Sequence, residues 1–340
     1  SDTQAIDTVL ELDTARRTTL THLQDLQTRA NAISKEVGQL FRDGQREAAE
    51  AKKAESAALK EEQKHLEEQA REVQAKLDRT LLDIPNIPHP TVPVGKPPDD
   101  NQVAWATETL PAFDFTPLPH WDLTLRHGLV DFERGAKVTG AGFPIYTGKG
   151  ARLQRALINF FLDMAGAEGG YTELQAPLFV NADSATGTGQ LPDKEDQMFE
   201  VPRDGLFAIP TAEVPLTNFL RDEILRDVDL PIKYCGYTSC FRREAGSYGK
   251  EVRGLNRLHA FDKIELVQFV HPDRSYEALE VLREDAERVL NKLELPYRRL
   301  LMCTGDMGFT QAKKYDLEVW AAGQERWLEV SSISNFEDFQ

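Results

Sequence analysis

An α+β protein, with an antiparallel coiled-coil hairpin ahead of a mainly antiparallel sheet flanked by helices, is the fold class this sequence predicts. Three observations predict it. Residues 1–82 contain no proline and only Gly38 and Gly44. Apolar residues in that stretch recur at alternating spacings of three and four, the rhythm of a coiled-coil seam. Beyond residue 100, short strand-like runs are joined by hairpin-length loops with the helices kept apart, which suits an antiparallel sheet and not a doubly wound parallel one.

The first helix is read from Leu23, Leu26, Ala30, Ile33, Val37 and Leu40, and the second from Leu59, Leu66, Ala70, Val73 and Leu77. Asp43-Gly44 lies between them and signals a turn. Two helices of roughly 35 residues would each reach ~50–55 Å. Pattern alone favours dimerisation or a spacer for such a hairpin; the sharper alternative is an arm that grips an elongated partner. Residues 83–100, DIPNIPHPTVPVGKPPDD, hold six prolines and read as an extended linker or a strap across a neighbour. The expected domains are therefore 1–82, a linker at 83–100, and 101–340.

In the last of these, 151–166 reads as an amphipathic helix ending at Gly166, and 171–180 as an edge or interface strand carrying Pro177. Residues 212–225 read as helical in their second half. Two strands, 232–244 and 256–270, are joined by the basic loop AGSYGKEVRGL. A helix over 274–295 and strands near 297–303, 315–323 and 326–336 complete the pattern.

The 340 residues, 41% of them hydrophobic and 28% charged, describe an ordinary globular chain with room for two or three domains. No apolar run is long enough to span a bilayer, and the first residues lack a signal-peptide pattern. No membrane partner is expected. Cys235, Cys240 and Cys303 are too few and scattered for a disulfide framework or a thiolate zinc site, so no zinc is expected and a cytoplasmic setting is the default. A net charge of −16 argues against a nucleic-acid partner unless a basic surface is local.

Phosphate-loop readings fail. TGTGQLP (186–192) lacks a third glycine at dinucleotide spacing, and GFPIYTGKG (142–150) misses the Walker pattern. The segment CFRREAGSYGKEVRGLNRLHAFDKIE (240–265) is more informative. It places F-R-x-E on one strand and R-x-x-x-F, from Arg257 to Phe261, on the returning one. An arginine on a sheet facing a cleft can clamp an α-phosphate bidentately, and a phenylalanine on the next strand can offer its ring to a purine. The ordinary reading, a hairpin with surface salt pairs, loses ground because both halves occur together.

That segment resembles motif 2 of class II aminoacyl-tRNA synthetases. With TGTGQLP, IPTAEVPLTN and LEVSSISNFEDFQ it is similar, collinearly from arm to last residue, to the seryl-tRNA synthetases of the bacterial type. The resemblance implies a six- to eight-stranded antiparallel sheet carrying the site, a homodimer formed through the motif 1 strand with Pro177, and a helical arm for tRNA. It implies activation of L-serine with ATP and Mg²⁺ and transfer to tRNA-Ser, with tRNA-Sec a second acceptor in the family's habit. Thr211, Ala212, Glu213 and Glu265 would hold serine. Arg242, Arg243 and Glu244 would contact ATP, with Arg242 the phosphate clamp and Arg242 and Glu244 the catalytic pair. Leu258 and Phe261 would line the adenine pocket. Glu329, Val330, Ser331 and Ser332 would complete the ATP site, Glu329 and Ser332 holding Mg²⁺. Lys250 and Arg253 would touch the tRNA acceptor end. The family continues past Gln340 with a motif 3 that carries a second ATP-binding arginine and a late serine-pocket residue, and it begins upstream of Ser1, so the resemblance implies a chain shortened at both ends. Two other readings stand beside it: a paralogue that charges a non-tRNA acceptor, which would not need the heptads, and an inactive binding or dimerisation protein.

Overall fold

Proline-free heptads form two long helices. In the computed structural model, which describes residues 2–244 and 253–339, α1 spans Asp2–Arg42 and α2 spans Arg46–Leu81, about 60 and 54 Å at the usual helical rise. Leu26 and Ile33 of α1 and Leu59 of α2 form the buried centre of the seam, with Val37 and Leu66 packed against it. Leu26 is 1% exposed. Between the helices Gly44 takes φ +75°, where a side chain would be strained, and the Gln45 N–H donates to the Leu40 carbonyl at 3.0 Å. The sequence expectation of an antiparallel hairpin holds here.

The chain divides into two compact units, Ser1–Pro85 and Asn86–Gln340. The division falls inside the proline-rich segment. From Asn86 onward that segment lies on the second unit as a strap: the Asn86 and His89 N–H groups donate to the Phe309 and Ala312 carbonyls at 2.9 and 2.8 Å, and the Thr304 N–H donates to the Pro93 carbonyl at 2.9 Å.

The second unit opens with β1 (Gln102–Ala106), α3 (His120–His127), β2 (Val130–Asp131), α4 (Phe132–Val138), β3 (Ile145–Tyr146) and α5 (Lys149–Ala167). It continues through β4 (Thr172–Glu173), β5 (Phe179–Asn181), α6 (Ala182–Gly187), β6 (Phe199–Val201), β7 (Leu206–Ala208) and α7 (Glu213–Asn218). The long elements follow: β8 (Ile232–Phe241), β9 (Ala260–Phe269), α8 (Ser275–Lys292), β10 (Tyr297–Leu301), β11 (Lys313–Ala321) and β12 (Arg326–Asn335).

Two sheets matter for the site. One has the order β1-β10-β11-β12, antiparallel throughout, and the other the order β4-β8-β9. The short pair β4–β8 is parallel. The single six- to eight-stranded sheet implied by the resemblance is therefore present as two sheets among the described residues, with β9 and β12 each at an edge. Strand alternation decides which residues see α8. Tyr315 and Leu317 of β11 and Ile333 of β12 pack with Tyr297 against Leu279 and Leu290 of that helix. Asp316 and Ser332, which pair directly across β11 and β12, therefore face the other way. Ala165 of α5, Tyr171 and Cys235 of β8 form a second core behind β8 and β9.

Three element expectations need correction. The strand read over 171–180 is two strands in two different sheets, β4 and β5, and Pro177 lies in the irregular stretch between them. The helix in 212–225 occupies the first half, not the second, because Pro215 falls within its first turn, where no intrahelical N–H is needed. The helix α5 runs through Gly166 to Ala167. Among the described residues no helix is long and apolar enough to cross a membrane.

Candidate functional site

The long hairpin β8–β9 presents one face to a cavity of about 1310 Å³. Its register sets Gly236 opposite Glu265, Thr238 opposite Lys263 and Cys240 opposite Phe261. Because side chains alternate along a strand, Phe261, Lys263 and Glu265 share that face. The segment before α7 walls it: the Phe241 N–H donates to the Ile209 carbonyl at 2.8 Å, and Thr211, only 4% exposed, sits above Glu265.

Thr211, Glu213, Arg242, Glu244, Arg257, Lys263 and Glu265 line the cavity together, as do Val330, Ser331 and Ser332 of β12. The hollow also runs past the edges of β9 and β12 to α8. Its polar end, beside α7, is the part with chemistry.

Arg242 lies just beyond the end of β8, and its backbone N–H continues the pairing to the His259 carbonyl at 2.9 Å. Its Nε donates to the Pro210 carbonyl at 3.2 Å. The guanidinium rests 5.1 Å from the centre of the Phe261 ring, so the two groups are on one face, but Phe261, unlike Arg242, does not line the cavity. The contact also covers that face of the ring, so a base stacking there must displace the guanidinium. A guanidinium carries five N–H donors and one is taken by Pro210, which leaves donors for an anion.

Glu244 is not on the strand as expected. It turns away at φ +47° and pairs with Arg257 at 2.7 Å; Arg257 in turn lies in the loop ahead of β9. Arg243, alternating with Arg242, points to the Phe199 ring at 5.7 Å and does not line the cavity. Ala212 and Leu258 are buried and do not line it either.

Around Glu265 the polar groups close a triangle. The Thr211 hydroxyl donates to Glu265 Oε2 at 2.7 Å, and Lys263 Nζ donates to Thr211 Oγ1 at 2.6 Å and pairs with Glu265 Oε2 at 2.6 Å. The Glu213 N–H also donates to Thr211 Oγ1, at 3.1 Å. Lys263 was not anticipated from the sequence, although its place two residues before Glu265 on a strand puts it on the same face.

On the second sheet, Glu329 pairs across from Glu318 and Ser332 across from Asp316. Glu329 does not line the cavity, whereas Ser332 does. Asp316 was also missed. It is 3% exposed, its Oδ2 pairs with Lys314 Nζ at 3.0 Å, and its Oδ1 is buried without a hydrogen-bond partner. Burial and the Glu329 charge push its pKa up to about 6, against Lys314 and the Ser332 hydroxyl, which lower it. Glu329, Asp316 with its orphaned buried Oδ1, and the Ser332 hydroxyl are hard oxygen donors on one face of β11–β12, the donor type a divalent cation such as Mg²⁺ takes, and among the described residues no cluster of three or more acidic, histidine or cysteine side chains is placed to hold an ion.

At the base of the basic loop, Arg253 lies 4.8 Å from the centre of the Trp121 ring, and the Leu255 N–H donates to His120 Nε2 at 2.7 Å. Lys250 lies outside the described residues.

Comparison with known proteins joins these parts. A model of the seryl-tRNA synthetase N-terminal domain matches residues 1–88, and one of the tRNA synthetase class II core domain (G, H, P, S and T) matches residues 199–340. A serine–tRNA ligase of Salinibacter ruber is 63% identical over 335 residues, 98% of this chain and 78% of the relative. That of Desulfosudis oleivorans is 50% identical, covering 100% of this chain and 79% of the relative. Among solved structures, seryl-tRNA synthetase from Pyrococcus horikoshii complexed with ATP superposes with a TM-score of 0.90 at 36% identity, covering 98% of this chain and 78% of that one. A cytoplasmic serine–tRNA ligase from Naegleria fowleri in complex with AMP gives 0.85 at 28% identity, over 100% of this chain and 81% of that one.

Proposed function

The chain belongs to the seryl-tRNA synthetases, class II enzymes that join serine to tRNA, and from that premise we propose how its own residues divide the work. The substrates are L-serine, ATP and tRNA-Ser, with tRNA-Sec a second acceptor. The observation that carries the assignment is Arg242 and Glu265 on one face of β8–β9, at the polar end of one cavity.

In the first step the serine carboxylate attacks the α-phosphorus of ATP in line, giving seryl-adenylate and pyrophosphate. The nucleophile is ionised at neutral pH, so no general base is required. The site must align two anions and neutralise charge growing on phosphorus. Arg242, held by the Pro210 carbonyl through Nε, offers its remaining donors to the phosphate. Glu244 pairs with Arg257 and keeps that second cation at the cavity wall. Glu213 supplies negative charge for the serine ammonium, and Glu265 a hydrogen-bond acceptor at the serine end. Thr211 contributes by fixing Glu265, because its hydroxyl is already engaged by Glu265, Lys263 and the Glu213 N–H. Glu329 and Ser332, with Asp316 beside them, would hold Mg²⁺, which when bound offsets charge on the ATP phosphates. In the second step the 3′-terminal ribose hydroxyl of tRNA attacks the acyl carbon and AMP leaves, with Arg253 and Lys250 at the acceptor end.

Two wider readings follow the family. A homodimer is supported by exposed apolar residues beside Pro177, Leu178 and Phe179. A cytoplasmic location is supported by three buried cysteines that remain free thiols.

The test is serine-dependent ATP–pyrophosphate exchange with the full chain, followed by tRNA-Ser charging. Arg242→Ala is expected to lower exchange by about 10²–10³-fold, the cost of one preorganised donor, while serine binding by calorimetry persists. Normal exchange in that variant would remove Arg242 from the clamp.

A further inference from the structure

The triangle of Thr211, Lys263 and Glu265 has a chemical consequence for what the pocket can recognise. The Thr211 hydroxyl has one donor and two acceptor sites. All three are used, by Glu265 Oε2, Lys263 Nζ and the Glu213 N–H. It has no capacity left for a ligand unless the triangle opens. Glu265, by contrast, uses one oxygen for both its partners, and an ionised carboxylate has about four lone-pair sites. Glu265 is thus the member of the triangle that can take a further hydrogen bond.

The charge around that acceptor is balanced by its neighbour. An ammonium 2.6 Å from Glu265 Oε2 makes the pair close to neutral as a unit. A bare carboxylate in a partly buried site would draw in a cation, since an unpaired buried charge is costly. With Lys263 in place that demand is already met, and a second ammonium brought to Glu265 would meet like charge. A neutral hydroxyl, which needs only an acceptor, meets no such penalty. The main-chain geometry makes the arrangement durable: Lys263 and Glu265 are alternate residues of β9, on one face, paired in register with Thr238 and Gly236 of β8.

We propose that Lys263 is a specificity-determining positioning residue, which by neutralising and orienting Glu265 makes that carboxylate a reader of the neutral side-chain hydroxyl of serine and not of a cation. The proposal rests on the serine-pocket reading above. It leaves the substrate's α-ammonium to Glu213.

Binding of serine, alanine and L-2,3-diaminopropionate, which carries an amine in place of the serine hydroxyl, tests it by calorimetry on the full chain. The measurement is made at pH 6, where the doubly protonated form of the diamine dominates. The wild-type chain is expected to prefer serine over both. In Lys263→Met and Lys263→Gln the preference for serine over the diamine falls by about tenfold or more, equivalent to ~1.4 kcal/mol, and Lys263→Arg restores it. A merely structural role would weaken both ligands alike and leave their ratio unmoved; that result overturns the proposal while the serine pocket stands. Wild-type chain that fails to distinguish serine from alanine would overturn the pocket reading itself. Thermal melts identify any variant that fails to fold, and the glutamine variant, which keeps a hydrogen-bond donor, carries the test if the methionine variant does so.

Discussion

At the scale of single residues, His120 ties the base of the basic loop to α3 through its acceptor nitrogen. Burial, with the Arg326 charge, lowers its pKa below the ordinary histidine value, and a protonated Nε2 could not accept from the Leu255 N–H. The unfolded chain takes its proton near the usual value of about 6.5, the folded one only at lower pH. The stability that His120 contributes is therefore present above that value and is lost as the pH falls through it toward the folded pKa. Hydrogen-exchange protection at the Leu255 amide is expected to drop between pH 7.5 and 5.5, and His120→Phe should lose it at both. Protection that is unchanged with pH would show that the bond does not depend on a neutral ring. No pattern in one sequence links residues 120 and 255, because they meet only through tertiary packing. Lys263 was within reach, since period-two alternation puts it beside Glu265. Asp316 needed the β11–β12 register, which a sequence does not print. Arg243 is assigned to ATP as the middle residue of the family's tripeptide, and its adjacency to Arg242 is what turns it to the opposite side, onto Phe199.

Whole elements were legible where they were long. The α1–α2 seam repeats often enough for its period to exceed chance, and Leu26, Ile33 and Leu59 are buried as that period demands. The ten-residue strands β8 and β9 were legible because a Gly-rich loop divides two long strand-like runs. Strands of two and three residues, such as β4 and β5, show no period, so the run 171–180 read as one strand. The same stretch carries the next prediction. Pro177 cannot donate to a ladder, and Leu178 and Phe179 beside it are exposed, a combination that suits a surface awaiting a second copy. Phe179→Glu together with Leu178→Glu should convert a dimer into a monomer in sedimentation equilibrium, with the far-ultraviolet dichroism of the chain retained. A double variant that still sediments as a dimer would place the interface elsewhere.

The molecule as a whole reconciles an acidic chain with a polyanionic partner by division of labour. A net charge of −16 opposes binding of any nucleic acid over the general surface, so affinity for tRNA must come from local cations and from shape. The two units have separate cores: Leu26, Ile33 and Leu59 in the first, and the α8 and β8 clusters in the second. The strap from Asn86 onward is hydrogen-bonded within the second unit. Removal of residues 1–85 should therefore leave that unit folded and its cavity intact. The residues proposed for adenylate formation, Arg242, Glu244 and Glu265 with their neighbours, all lie in the second unit. Charging of tRNA-Ser requires the tRNA to be held in place for the acyl transfer, which binding energy from remote contacts supplies. The shortened chain is expected to keep serine-dependent ATP–pyrophosphate exchange within about threefold, while kcat/KM for charging falls by about 100-fold, or ~2.7 kcal/mol of lost binding. The charging that remains should also show a shallower dependence on salt, because fewer phosphates are contacted. Equal loss of exchange and charging would mean that the hairpin supports the catalytic cavity, and the assignment of α1 and α2 to the tRNA would fall.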